Sequence, residues 1–397
     1  MIETNSRIFW RATLALCLGS FTVFSNVYLT QPLLPMLADN FGLTALEAGL
    51  TFTLSTLTLG LSLLFYGPLS DALGRRSIML MTLAGAIGCT ALLSQVESYS
   101  QLLILRAIQG FLLGGLPAIA IAYMGDEFSH KALASAVGLY IAGNTLGGIG
   151  GRLTGGFVGE SLGWSDAFAV MFVISLVGVS LFALLLPHSQ HFKPQPLKPR
   201  AMANALTNHL RNPMLLAAYL IGGLNFFIFI NQYSYATFLL ADAPYNLPAS
   251  LLGMLFLTYL SGTFGSALSG RFSAHYPQPL VIAAGIGILM CGSLVTLIPS
   301  VWTIVGGFFI NAFGFFIAHS SASSWVSQQA TEARASASSL YLVFYYLGAS
   351  SGGLYLEPFW QWAGWQGVII ASLLVLSLTL GLSGWLYQRH RCQTVLA

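Results

Sequence analysis

The longest stretch of this chain outside a membrane-length apolar run is residues 188–212; elsewhere one such run follows another after a short polar break. The runs fall at about 9–36, 45–66, 77–95, 101–124, 132–156 and 166–187, then 213–240, 248–270, 279–298, 301–325, 335–357 and 366–388. A helix needs ~20 apolar residues to cross the ~30 Å hydrocarbon layer, and each run meets that length to within a few residues. A membrane barrel would instead show alternating segments of ~10 residues, a pattern this chain lacks. A soluble fold fails on charge, because only 7% of the 397 residues are Asp, Glu, Lys or Arg, against ~25% in ordinary globular domains. The expected fold class is therefore all-α integral membrane, with twelve transmembrane helices.

Charge placement orients the spans. With a cytoplasmic N-terminus, the inner ends and loops hold Arg7, Arg11, Arg75, Arg76, Lys131, Lys193, Lys198, Arg200, Arg211, Arg271, Arg334, Arg389 and Arg391. Arg106 and Arg152 lie inside spans, and the outer loops hold no Lys or Arg. Asp39, Glu47, Glu97, Glu160, Asp166 and Asp242 fall on the outer side. Cations gather on the cytoplasmic side of membrane proteins, and a single missed span would scramble the pattern. Both termini and the 188–212 loop are thus expected in the cytoplasm. The net charge of +3 reads as topology and implies no nucleic-acid partner. The first apolar run is too long for a cleaved signal, and no small-residue cleavage site follows it. Cys17, Cys89, Cys291 and Cys392 show no paired spacing in the outer loops, so neither a disulfide nor a metal site is expected.

The polar segment splits the chain into a six-span part, 1–187, a cytoplasmic linker, 188–212, and a second six-span part, 213–397. Pro194, Pro196, Pro199 and the neighbouring basic residues suit a linker better than another packed element. The two parts repeat. Tyr140, Gly143, Gly147 and Gly148 in the fifth span match Tyr345, Gly348, Gly352 and Gly353 in the eleventh, at a constant offset of 205. Each set precedes a Gly-Trp pair, Gly163-Trp164 and Gly364-Trp365. Parallel repeats of this kind recur in transporters, with substrate held near the midplane. Glycines four apart also serve close helix packing.

The loop after the second span reads Gly67-Pro68-Leu69-Ser70-Asp71-Ala72-Leu73-Gly74-Arg75-Arg76. It resembles the signature loop of the major facilitator superfamily: a Gly, an Asp four residues on, then a Gly and a basic pair. Gly67 and Gly74 allow close approach of helices and backbone, and Asp71 is spaced to pair with Arg75 or to cap a helix N-terminus. The resemblance implies that Gly67, Asp71, Gly74, Arg75 and Arg76 form a conformational latch on the cytoplasmic side. Ala72 stands where the family carries a basic residue, so part of that charge network is missing. Arg106, Gln109 and Gly110 are similar to the Arg-x-x-Gln-Gly of proton-coupled members. Gly143-Asn144-Thr145-Leu146-Gly147-Gly148 resembles the antiporter signature Gly-Pro-x-x-Gly-Gly, with Asn144 in place of its proline. Residues 138–144, 319–325 and 338–342 carry a closer similarity to YnfM-like transporters of the drug/proton antiporter branch. The resemblance implies two pseudo-symmetric six-helix bundles that export a small organic molecule across a bacterial inner membrane by alternating access, coupled to proton entry. Substrate identity does not carry over, because one fold serves many substrates.

In that architecture the first, fourth, seventh and tenth spans line the cavity. Their polar residues Asn26, Gln31, Arg106, Asn225, Gln232 and Asn311 are the substrate-binding candidates. Asn225, Phe229 and Gln232 share one helical face, Asn231 and Tyr235 form a second stripe, and Asn311, Phe315 and His319 share a face in the tenth span. Amides beside phenylalanines suit a neutral or amphipathic organic molecule; hydrogen bonding between helices is the competing use of each amide. Gly143, Asn144, Gly147 and Gly148 are expected to pack helices together.

Ionisable groups inside a membrane are expensive and so are functional candidates. Arg152 corresponds to Glu357 by the 205-residue offset, and both are expected to snorkel to the outer interface. His319 is the proton-coupling candidate, since histidine's unperturbed pKa of ~6.5 crosses the physiological window. Its competing role is a neutral imidazole bonded to Ser323 or to a backbone carbonyl. With no carboxylate in mid-membrane, uniport stays open beside coupling through His319.

Rival functions are uptake of a sugar, amino acid or organic acid, and intramembrane hydrolysis by Gly348-Ala349-Ser350-Ser351-Gly352, which matches Gly-x-Ser-x-Gly. The elbow of that motif needs a strand-to-helix turn, whereas this stretch reads as apolar helix. The chain is accordingly not expected to be an enzyme. No cofactor is expected, and the partners are a small-molecule substrate, protons and the bilayer, with the protein acting as a monomer.

Overall fold

Proline, glycine and capping residues set where the apolar runs become helices. The computed structural model describes residues 1–4, 6–192, 194, 199–330 and 334–396. Its contacts divide into two units, Met1–Leu197 with Pro248–Met254, and Lys198–Leu247 with Leu255–Ala397. The short segment Pro248–Met254, assigned by sequence to the second half, thus groups with the first.

In the first unit α1 (Arg7–Tyr28) passes through a 3-10 turn at Gln31–Leu33 into α2 (Leu34–Phe41). Pro32 and Pro35 explain the break, because proline removes an N–H donor and its ring crowds the preceding turn. α3 (Ala45–Leu73) opens on a capping box in which Thr44 and Glu47 satisfy each other's backbone N–H groups. α4 (Arg75–Leu93), α5 (Tyr99–Leu113), α6 (Gly115–Glu127), α7 (His130–Leu162) and α8 (Trp164–Leu185) complete the unit. α1 packs along α7 and α8, α3 along α5, and α4 against α5 and α8.

A glycine ladder brings α7 onto α1. A Cβ on Gly143, Gly147, Gly151 or Gly155 would fall 2.8, 2.5, 2.2 or 2.3 Å from the carbonyl oxygens of Cys17, Phe21, Ser25 and Leu29. Four-residue spacing on both helices makes this a continuous seam of backbone contact, the role expected of small residues between membrane helices.

The second unit contains α9 (Pro199–Arg211), α10 (Pro213–Ala241), α12 (Tyr259–His275), α13 (Gln278–Val295), α14 (Val301–Gln329) and α15 (Arg334–Leu396). α11 (Ala249–Leu255) leads into α12 through a 3-10 turn at Phe256–Thr258. α10 packs along α15, and α14 packs against α12 and α13. The repeated seam reappears, since a Cβ on Gly348 or Gly352 would lie 2.0 or 2.2 Å from the oxygens of Gly223 and Phe227. α9 corrects one expectation: the segment read as a linker unsuited to packing carries a helix against α10 and α15, with His209 buried.

Eleven helical runs among the described residues are long and apolar enough to cross a membrane. The last, Ser336–Cys392, spans 57 residues and is interrupted at Ala363 and Gly364, so it supplies two crossings. Gly364 has φ +54° and Gly163 has φ +104°, left-handed values that explain the repeated glycine before each tryptophan. Large side chains such as Phe264, Leu184 and Trp302 face outward, while Asn26, Arg106, Gln109, Arg152, Gln232 and Asn311 turn inward. That inversion of a soluble protein fits a bilayer as solvent.

Candidate functional site

Each unit buries a polar knot built from its own helices. In the first, Asn26 on α1 donates to Ser175 Oγ on α8 at 2.8 Å, and its Oδ1 accepts from Thr90 Oγ1 on α4 at 2.8 Å. Gln109 on α5 donates to Thr90 Oγ1 at 2.8 Å and to Asn26 Oδ1 at 3.3 Å. Arg106, 0% exposed, closes the knot. Its Nε donates to Thr51 O at 3.0 Å, and Nη1 donates to Asn26 O at 3.0 Å and Gln109 Oε1 at 2.6 Å. Nη2 donates to Val27 O at 2.9 Å and Thr30 Oγ1 at 3.5 Å. All five guanidinium N–H groups are thus taken by neutral acceptors of the same unit. Among the described residues no carboxylate pairs with it.

Arg152 overturns the snorkelling expectation. It is 1% exposed, its Nε and Nη2 donate to Gln31 Oε1 at 2.8 and 2.6 Å, and Nη1 donates to Gly148 O at 3.1 Å. Gln31 therefore serves the fifth span's arginine. α7 itself and the buried 3-10 turn after α1 offer these acceptors, so the side chain has no need to climb to an interface. Asn144, in the place of the signature proline, accepts from Ser20 Oγ on α1, adding a polar contact to the seam. Gly148, by contrast with Gly143 and Gly147, has only ordinary contacts, the nearest at 3.4 Å.

The second unit repeats the knot with the corresponding helices. Gln232 on α10 and Ser293 on α13 exchange hydrogen bonds at 3.1 and 3.2 Å. Asn311 on α14 donates to Gln232 Oε1 at 2.9 Å and to Ser293 Oγ at 3.0 Å. Asn225 accepts from Thr379 on α15 at 2.8 Å. So an amide from the unit's first span, a hydroxyl from its third and an amide from its fourth converge in both units. Asn311 Oδ1 and Asn225 Nδ2 are buried without a hydrogen-bond partner among the described residues. Asn225 and Gln232, two turns apart on one continuous helix, serve different neighbours.

His319 on α14 stands beside an aromatic stack. Phe229 and Phe315 lie 3.9 Å apart and nearly parallel, Phe226 and Tyr345 3.6 Å apart, and His319 is 4.7 Å from Tyr345 between ring centroids. Its polar partner is Tyr341, whose hydroxyl is 3.0 Å from Nδ1 and donates to His319 O at 3.3 Å; Ser323, the partner suggested by spacing, is not used. Half-buried, the imidazole has no hydrogen bond at Nε2 among the described residues. Glu357, half-buried, accepts from Tyr235 Oη at 2.7 Å and from the exposed Gln361 Nε2 at 2.8 Å.

The signature loop forms a charge cluster. Arg75 pairs with Asp71 at 2.7 Å and also with Asp126 of α6, while donating to Ser70 Oγ at 3.3 Å. Arg76 donates to Ala183 O and Leu186 O at 2.8 and 3.2 Å, binding the C-terminal end of α8 where carbonyls lack helical partners. Gly74 has φ +105°, which explains its glycine, but a Cβ on Gly67 or Gly74 would meet nothing within 4 Å. The close approach expected at Gly67 is therefore absent.

Sequence reasoning missed Glu127 at the end of α6. Its carboxylate, almost fully buried, accepts from the N–H groups of Gln190 and His191 at 2.8 and 3.0 Å and lies 3.1 Å from His191 Nδ1. Nothing in the local pattern distinguished it from Asp126. Ser350, the imagined nucleophile, is helical and donates to Leu347 O at 3.0 Å, so the required elbow does not form there.

Comparison with known proteins agrees with this architecture. A profile of the Major Facilitator Superfamily matches residues 16–353. The uncharacterized MFS-type transporter YybF of Bacillus subtilis (strain 168) is 36% identical over 97% of this chain and 95% of its own. The inner membrane transport protein YnfM of Escherichia coli (strain K12) is 37% identical over 96% of this chain and 92% of its own. A crystal structure of a bacterial homolog to the human lysosomal transporter Spinster, inward-facing and unoccupied, has a TM-score of 0.75 at 15% identity. It covers 97% of this chain and 98% of that one, a likeness of fold.

Proposed function

The chain belongs to the major facilitator superfamily, and from that premise we propose that this membrane transporter exports a small amphipathic organic molecule in exchange for protons. Export by antiport is supported by the Gly143-Asn144-x-x-Gly147-Gly148 segment and by its contact with α1. A bacterial inner membrane is supported by the printed name of YnfM, and cytoplasmic termini by the distribution of Lys and Arg.

The observation that carries the coupling is the placement of His319 Nδ1 3.0 Å from the Tyr341 hydroxyl, with the tautomer assigned as follows. Tyr341 has a single proton, and His319 O, which can only accept, lies 3.3 Å from its oxygen. Giving the proton there leaves Nδ1–H to donate to the tyrosine oxygen and bares Nε2 as a proton acceptor. Tyr341 and Tyr345 are the titratable groups facing the ring, and no Asp, Glu, Lys or Arg pairs with it among the described residues. Proton uptake at Nε2 would place a charge beside Phe315 and Tyr345, where hydration decides its cost. Phe226, Phe229, Phe315 and Tyr345 supply an apolar wall, while Asn225 and Asn311 each retain an amide atom that a substrate can satisfy. Arg106, Asn26, Gln31 and Gln232 support these surfaces by holding the helices of their own units in place.

Reconstitution into proteoliposomes tests the reading. Lipophilic cations, sugars and amino acids are offered under an imposed pH gradient. Substrate movement against an inward proton gradient is expected, and flux of a substrate indifferent to that gradient would remove the coupling.

A further inference from the structure

Glu357 is the one Asp or Glu within the described helices of the second unit. It lies about two turns before the break at Gly364 and is half-buried. Its carboxylate accepts from two neutral donors, Tyr235 Oη at 2.7 Å on Oε2 and Gln361 Nε2 at 2.8 Å on Oε1. No Lys, Arg or His pairs with it among the described residues. Tyr235 divides its one proton between the carboxylate and Gly353 O, 3.1 Å away. Tyr235 is 4% exposed, so this hydroxyl is fixed by packing. The Trp360 ring, half-buried, lies 5.4 Å from the Tyr235 ring at 47°.

A carboxylate in a membrane-crossing helix is expensive without a compensating charge. Two neutral hydrogen bonds orient Glu357 without neutralising it. Indole and phenol faces carry negative quadrupoles that attract cations, indole best. A proton alone would need no aromatic wall. The combination of an oriented anion with a tyrosine bonded to it and an indole packed on that tyrosine matches a cation that also has an apolar body.

We propose that Glu357, Tyr235 and Trp360 form a subsite for the charged end of an organic cation, of the ammonium or phosphonium class. This rests on the reading of the chain as an exporter of organic molecules and names the substrate class. Glu357 supplies the counter-charge, Tyr235 aims Oε2, and Trp360 offers its face to the cation's substituents.

The test is equilibrium binding to the full chain in detergent, with tetraphenylphosphonium as the cation and tetraphenylborate as an anion of the same shape. Saturable phosphonium binding without borate binding is expected. Glu357→Gln should weaken phosphonium binding by more than ~10-fold, as removal of a desolvated charge partner does. Trp360→Leu should weaken it by about threefold, the scale of one cation–π contact. Glu357→Asp, which keeps the charge, should retain discrimination between the two ions. Equal binding of both ions by the unaltered protein overturns the subsite. So does unchanged phosphonium affinity in a folded Glu357→Gln protein. Should that variant fail to fold, unchanged affinity in Trp360→Leu overturns it instead. Flux separates this from the wider reading. Transport of a neutral molecule without phosphonium binding keeps the transporter and removes the subsite, whereas discriminating phosphonium binding without flux of any compound keeps the subsite and removes the exporter.

Discussion

Arg152 lays its guanidinium on the ring of Tyr28, with Cζ 3.9 Å from the ring centroid, while two of its nitrogens grip Gln31 Oε1. At the matching place in the second unit Glu357 takes the hydroxyl of Tyr235. The same pair of helices, α7 on α1 and α15 on α10, thus carries opposite charges in the two units, each braced by a tyrosine from the unit's first span. The position on the fifth and eleventh spans is the same, the charge is inverted, and the tyrosine is used through its ring face in one unit and its hydroxyl in the other.

Removing the acceptor of a buried cation is costly, which gives the first prediction. Gln31→Leu should destabilise the protein by ~1–3 kcal/mol, the cost of leaving buried donors without their acceptor. Gln31→Glu keeps the acceptor and should be much milder. Melting of the detergent-purified variants compares them, and a leucine variant as stable as the unaltered protein would show that Gln31 is dispensable to Arg152.

The glycine seams make a sharper contrast. Gly147→Ala and Gly348→Ala force a methyl to 2.5 and 2.0 Å from backbone oxygens of the facing helix, so the helices must separate. Each should cost ~1–3 kcal/mol, the range for overpacking. Gly148→Ala meets only an ordinary 3.4 Å contact and should be near neutral. Parallel melting curves decide it; equal effects at Gly147 and Gly148 would mean that the seam does not hold α7 to α1.

These cases show what was legible in the chain. The offset between Gly143 and Gly348 is a property of spacing, and the packing that explains it follows from geometry any two helices share. The membrane-length runs were equally plain, because twenty apolar residues have few other uses. Partner choice was not legible. Asn26 meets Thr90 and Ser175, which lie on other helices far along the chain, and no periodicity joins them. Amides read as cavity-lining are, in this structure, engaged in knots within each unit, since a bilayer interior makes any available hydrogen bond worth forming. Arg152 was misread because snorkelling depends on whether acceptors are nearby, and Gln31 is 121 residues away in sequence. Asp71 and Arg75 were readable because they are one helical turn apart, whereas Asp126, which also takes Arg75, was not.

That shared arginine shapes a third prediction. Asp71 is 46% exposed, and exposed pairs contribute ~0–1 kcal/mol, so Asp71→Asn should leave melting nearly unchanged. Arg75 would still hold Asp126. If the cluster is a latch, turnover in proteoliposomes should nonetheless fall, and Asp71→Asn with Asp126→Asn should fall further than either alone. Full turnover in the double variant would show that the cluster only obeys the inside-positive rule.

The last prediction concerns His319 and Tyr341. Glutamine at 319 can still bond to the Tyr341 hydroxyl, so His319→Gln preserves the contact that a purely structural residue would need. It removes the only proton-binding nitrogen at that place. Gradient-driven flux should therefore be abolished, while substrate binding and exchange without a gradient persist. The pH dependence of transport should vanish with it. Tyr341→Phe asks a different question, because it leaves the imidazole but takes away the oxygen that fixes Nδ1. With the ring free to exchange tautomers, coupled flux should drop without being lost, and its pH response should survive. The two variants measured in one preparation separate the roles. An intact pH response in His319→Gln would remove histidine from the coupling scheme, and equal losses in both would mean that the contact itself, and no proton on Nε2, is what transport requires.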